Sequence, residues 1–156
     1  MRETTFIIII LLLSCFIVSG QTNKLPIPTK LFIEKVKYEE SPEEQYFTKY
    51  LGKKSEQILK RFSDSNDVCA KAFEFKTGIK LKTNSCSESG IEAEIIFPNY
   101  SKNDVVNFVE WFFKEEFSKW NKYKTKYQPK EDGDAGCYLE IKELKGKIIL
   151  SYSCGC

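Results

Sequence analysis

The sequence predicts an α+β fold: two main helices packed on an antiparallel sheet containing two β-hairpins, disulfide-reinforced. Three observations carry that expectation. Residues 69–86 and 137–154 alternate apolar and polar side chains about a short turn. Residues 41–62 and 101–123 open with helix-capping signatures and continue with apolar residues at helical spacing. Four of the six cysteines stand at the ends of the two alternating segments.

Residues 1–20 read as a cleaved export signal, with Arg2 near the start, an apolar run over 6–18, and Val18-Ser19-Gly20 as a small-residue cleavage site. A membrane anchor is disfavoured, because a spanning helix needs roughly 20 apolar residues and this shorter run contains Ser14 and Cys15. Leu12-Leu13-Ser14-Cys15 looks like a bacterial lipobox. Phe16, Ile17 and Val18 continue the apolar run where a lipidated terminus opens into a polar tether, so lipid anchoring at Cys15 is the minor alternative. Residues 21–156 are then expected to form a single domain in an oxidising setting, periplasmic or secreted, without a transmembrane anchor in the mature chain.

The mature chain starts with a polar, proline-containing lead-in. Residues 30–38 alternate and predict a strand. Ser41-Pro42-Glu43-Glu44 starts the first main helix: Ser41 caps, Pro42 suits the first helical position, Glu44 completes a capping box, and both glutamates favour the positive end of the helix dipole. Phe47, Tyr50, Leu51, Ile58, Leu59 and Phe62 supply its buried stripe, with a break or bend at Gly52.

Over 71–83 the register favours a hairpin. A three-residue loop with Gly78 in the left-handed conformation pairs Phe75 with Ile79 and Phe73 with Leu81, and sets Glu74 against Lys80 on the other face. Residues 91–97 add a strand that Pro98 ends. Ser101 and Asp104 form a capping box at the start of the second main helix, expected to run to Tyr123. Its apolar face holds Val105, Val106, Val109, Phe112, Phe113, Trp120 and Tyr123. Residues 137–144 and 147–154 form the second hairpin, turning at Lys145-Gly146.

That turn sets Leu144 opposite Lys147, Ile141 opposite Leu150, Leu139 opposite Tyr152, and Cys137 opposite Cys154. The last is a non-hydrogen-bonded pair, where α-carbons approach to about 4.5 Å, within disulfide range. Cys69 and Cys86 lie at the open end of the first hairpin and are expected to pair likewise. Cys156 is left unassigned, with bonding to Cys137, to Cys154 or to another molecule as its alternatives.

Composition restricts the chemistry. The chain has no histidine, which excludes Ser-His-Asp and Cys-His nucleophile activation and His-ligated zinc. After residue 20 the single arginine is Arg61, which disfavours bidentate phosphate recognition. A net charge of +2 gives no global pull toward nucleic acid or membrane. No cofactor, no metal and no catalytic residue is assigned, and catalysis is disfavoured.

Trp111 lies about 160° from Val109 on the wheel of the second helix, among polar residues, and is predicted to face solvent as an interface anchor. The competing reading covers it with a neighbouring strand. Glu116 falls about 20° from Val109, inside the apolar stripe, where burial would raise its pKa and prepare a general acid; a structural role is the stronger reading. Lys119, Lys122, Lys124 and Lys126, interleaved with Trp120, Tyr123 and Tyr127 in a segment ending at Lys130, form a candidate surface for anionic polymers, against the plainer reading of a solvated helix end. Asn99-Tyr100-Ser101 is a short glycosylation sequon of low specificity, and Glu131-Asp132-Gly133-Asp134 reads as a turn.

The function expected from these residues is a small exported protein-binding module of inhibitor or immunity type, acting on an extracytoplasmic protein partner. The alternative is an envelope-surface or anionic-glycan binder using the lysine-rich segment. A carboxylate-dependent enzyme built on Glu116 comes third.

Overall fold

A computed structural model describes residues 23–37, 39, 41–87, 90–131 and 135–155. The expected export signal with Cys15, the turn residues 132–134 and Cys156 lie outside the described residues.

Among the described residues eight strands form one antiparallel sheet, with three short helices beside it. In chain order these are α1 (Lys30–Val36), α2 (Pro42–Leu51), β1 (Lys53–Arg61), β2 (Val68–Phe75), β3 (Lys80–Ser87), β4 (Gly90–Pro98), α3 (Lys102–Phe112), β5 (Ser118–Trp120), β6 (Lys126–Pro129), β7 (Gly136–Leu144) and β8 (Lys147–Gly155). The sheet order is β1-β2-β3-β4-β8-β7-β6-β5. The expected α+β fold with two main helices is therefore corrected to a mostly β architecture. Three segments account for the difference.

Residues 30–38 are not a strand. Thr29 caps α1 by accepting from the Phe32 amide, and Phe32 and Val36, four residues apart, form its buried stripe. Alternation and a short helical stripe overlap in so brief a segment, and tertiary packing decides between them.

The first main helix stops at Leu51. Gly52 takes φ +75°, closes α2 by donating its N–H to the Phe47 carbonyl at 3.1 Å, and passes the chain into β1. Ser41 makes no side-chain cap bond, and Glu44 pairs instead with Lys53 at 2.8 Å. Ile58, Leu59 and Phe62, expected in a buried stripe, lie exposed on and just after the edge strand β1.

The second main helix ends at Phe112, where Phe113 caps it through the Val109 carbonyl, and the chain then turns into β5. Its start matches the expected capping box between Ser101 and Asp104.

Both hairpins have the expected registers. Phe73 pairs with Leu81 and Glu74 with Lys80. Phe75 donates to the Ile79 carbonyl at 2.9 Å, and Gly78 has φ +82°. In the second hairpin Leu144 faces Lys147, Ile141 faces Leu150, and Cys137 faces Cys154. Disulfides join Cys69 to Cys86 and Cys137 to Cys154.

One sheet face carries the core. Phe73, Leu81, Ile95, Leu150 and Ile141 lie side by side across five strands and are all buried. Helices α2 and α3 cover this row: the Phe47 ring stacks on Phe108 at 5.2 Å and approaches Phe75 and Phe97 at 5.1 and 6.0 Å. Fully burying each such side chain contributes about 1.5–3 kcal/mol, so this aromatic layer fixes the helices to one side of the sheet. The strand alternation then directs every second residue to the opposite side.

Candidate functional site

The opposite face is polar, and among the described residues no helix packs on it. Its central row reads Lys82, Glu94, Ser151, Glu140, Lys126 across β3, β4, β8, β7 and β6, each facing the next in register. The charges run plus, minus, neutral, minus, plus. One row further along, Asn84, Glu92, Ser153 and Tyr138 stand side by side. These residues line a depression of about 560 Å³. A second recess of about 290 Å³ begins at Lys82 and Glu94 and continues toward β1, past Glu74 and Ser55.

The small hydroxyls of Ser151 and Ser153 keep the middle of this face low. Lys142 holds Glu140 at 3.1 Å. Among the described residues Lys82, Glu92, Glu94 and Lys126 make no ion pair, although Lys82 faces Glu94 directly across the strands. The depression therefore offers both signs of charge, amide groups from Asn84 and Gln128, two hydroxyls and the Tyr138 ring. Solvent-facing Glu92 and Glu94 suit recognition rather than the role of a desolvated catalytic acid.

The residues singled out from sequence are dispersed. Trp111 is half-buried near the end of α3, its ring 6.2 Å from that of Tyr46, and packs against the core. Covering by α2, not by a strand, removes part of the exposure expected of it. The lysine-rich segment is a β5–β6 hairpin rather than a helix end. Asn121 closes its turn, its side-chain oxygen accepting from the Thr125 amide at 2.8 Å and the Lys126 amide at 3.2 Å.

Lys119, Lys122, Lys124 and Lys126 are exposed. Lys119 donates to the Lys130 carbonyl at 2.8 Å, and Lys124 approaches Glu110 at 3.5 Å. Tyr127 is buried, with its hydroxyl accepting from the Glu115 amide at 2.8 Å and its ring 5.0 Å from Trp120. Of the four lysines, only Lys126 lines the depression. Glu116 is exposed, because α3 ends before reaching it and the helical wheel no longer applies.

The buried carboxyl is Glu43, 1 % exposed, in the first turn of α2. Tyr152 of β8 donates to its Oε1 at 2.5 Å. Burial pushes the Glu43 carboxyl above the usual carboxylate range, against the opposing pull of the Tyr152 hydrogen bond. Burial also pushes the Tyr152 hydroxyl up, with the adjoining carboxyl adding to the effect. The sequence held a signal for this: Glu43 shares a helical stripe with Tyr46, Phe47 and Tyr50. Reading it only as a dipole partner missed the burial.

Two disulfides tie the sheet, and no helix among the described residues is long and apolar enough to cross a membrane. Comparison with protein-family models, with curated proteins and with solved structures finds no match.

Proposed function

We propose that the protein is a small exported binding module, of the size and build of inhibitors and immunity proteins, whose uncovered sheet face engages an extracytoplasmic protein partner. The observation that carries this reading is the row Lys82, Glu94, Ser151, Glu140, Lys126 lining the depression. Five strands at about 4.8 Å spacing make a platform roughly 20 Å across, enough for one side of a small protein interface. Interleaved charges of both signs favour a partner that also carries both, and disfavour a uniformly anionic polymer. The apolar leader and the two disulfides support an oxidising, exported setting.

An anionic-glycan surface on the β5–β6 hairpin has weaker support, since Lys119 is tied to a backbone carbonyl and Tyr127 is buried.

The test uses the protein as bait in its native medium or envelope extract. A Lys82→Glu/Glu94→Lys exchange keeps one charge of each sign on the facing positions and inverts the local polarity. Ser151→Arg fills the depression. Both variants are expected to lose the captured partner by about tenfold or more, with binding through this face falling only modestly at physiological salt. Equal capture by wild type and both variants would place the partner elsewhere.

A further inference from the structure

The helix-bearing side of the molecule holds a separate recess of about 470 Å³ between α1 and α2, walled by Leu31, Phe32, Lys35, Thr48 and Lys49 among others. Leu31 on its wall and Ile27, in the lead-in before α1, are the two most exposed large aliphatic side chains among the described residues, each 78 % exposed. The inward stripe of α1 is already supplied by Phe32 and Val36, so Leu31 is left pointing outward.

Of the cations walling the recess, Lys53 is paired with Glu44 and Glu56, but the others are not neutralised by neighbours. Among the described residues Lys35 and Lys49 make no ion pair. The Lys49 ammonium rests 4.5 Å from the Phe32 ring centroid and 5.3 Å from that of Tyr50, held at the recess by aromatic faces rather than by an acid. Lys30 has only a loose, fully solvated contact with Glu34 at 3.9 Å. Lys24 is exposed on the segment leading into α1.

Aliphatic side chains and uncommitted ammoniums side by side need an occupant that is both apolar and anionic. A purely acidic peptide, without apolar side chains, would use the lysines and leave Ile27 and Leu31 in water. A neutral apolar partner would bury Lys35 and Lys49 without compensation. An anionic lipid surface meets both needs: the aliphatics enter the boundary between headgroups and acyl chains, while the lysines stay at headgroup level.

We propose that α1 and the segment leading into it form a peripheral docking surface for anionic lipid membranes. The surface lies on the opposite side from the sheet-face depression, so the molecule can sit on a membrane and present that depression outward. It does not depend on which partner the sheet face takes.

The experiment is co-sedimentation of the exported, processed chain with vesicles of phosphatidylcholine containing about one third phosphatidylglycerol. The wild type is expected to bind these vesicles and to leave pure phosphatidylcholine vesicles largely bare. Ile27→Ser/Leu31→Ser should weaken binding about tenfold or more. Neutralising Lys35 and Lys49 with glutamine should cost roughly fivefold for each lysine. The same charge loss at Lys122 and Lys124 should cost less than about twofold in total. All six sites are solvent-facing, so unchanged thermal midpoints confirm the fold of each variant. No binding by the wild type, undiminished binding by Ile27→Ser/Leu31→Ser, or a loss appearing at Lys122 and Lys124 instead would each overturn the proposal.

Discussion

Glu43 of α2 and Tyr152 of β8, 109 residues apart in sequence, are joined by a hydrogen bond in the core. The contact links the start of a helix to a central strand whose neighbouring residues, Ser151 and Ser153, form the middle of the open face. Glu43 is the only buried charged side chain among the described residues.

Burial of the Glu43 carboxyl sets a pH dependence. Because burial raises the Glu43 value above the ordinary 4.5, the folded state holds its proton more tightly than the unfolded state. The associated stability is fully present below about pH 4.5 and is lost as pH rises through the folded value, at about 1.4 kcal/mol per pH unit within that window. Glu43→Gln removes the titrating group while keeping an acceptor for Tyr152. It should flatten this part of the stability profile and raise stability near neutrality. Tyr152→Phe takes away the donor and should cost about 1–3 kcal/mol. Urea midpoints measured from acid to neutral pH check both; a Glu43→Gln profile with the wild-type slope would contradict the assignment.

The two disulfides permit a comparison at fixed loop length. Cys69–Cys86 and Cys137–Cys154 each span 17 residues. If the bonds act by restricting the unfolded chain, replacing either pair with alanine should cost about 3 kcal/mol, and the two losses should be equal. Chemical denaturation of the two double variants measures this. Unequal losses would show that native packing around one pair contributes as well.

What could be read in advance follows from how local each signal is. The register of β7 and β8 depends on one turn at Lys145-Gly146 and on alternation within 18 residues, so the pairing of Cys137 with Cys154 is legible in the sequence. The β1 strand carries no such signal. Nearly all of its residues are exposed, and an edge strand open to solvent on both faces has no apolar alternation to display. Its Ile58 and Leu59 therefore mimicked a helical stripe. The open face was illegible for another reason: it exists only because β4 pairs with β8, bringing Glu94 to Ser151, and no local pattern specifies a partner so far along the chain. Lys126 is legible as part of the lysine-rich segment, but its place at the rim of the depression follows from the β6–β7 pairing.

Gly90 offers the sharpest test of that β4–β8 junction. Its φ of +127° is a backbone conformation rarely open to side-chain-bearing residues, and a β-carbon there would lie 2.0 Å from the Cys154 carbonyl oxygen and 2.9 Å from the Gly155 α-carbon. Neither neighbour can withdraw easily. Cys154 is fixed by its disulfide to Cys137 and faces Ile91 in the ladder, and the carbonyl is backbone rather than the end of a flexible side chain. Gly90→Ala must therefore strain φ and displace β8 at once, for an expected loss of roughly 2–4 kcal/mol. The damage should be local before it is global: amide exchange should speed up first at the Ile91 and Cys154 end of the β4–β8 ladder, with Phe97 and Ile148 still protected. Because Glu92 and Ser153 are the next pair along that ladder, the variant should also weaken whatever binds the sheet-face depression. A Gly90→Ala protein with wild-type urea midpoint and wild-type exchange at Ile91 would mean that β4 does not meet β8 in this register.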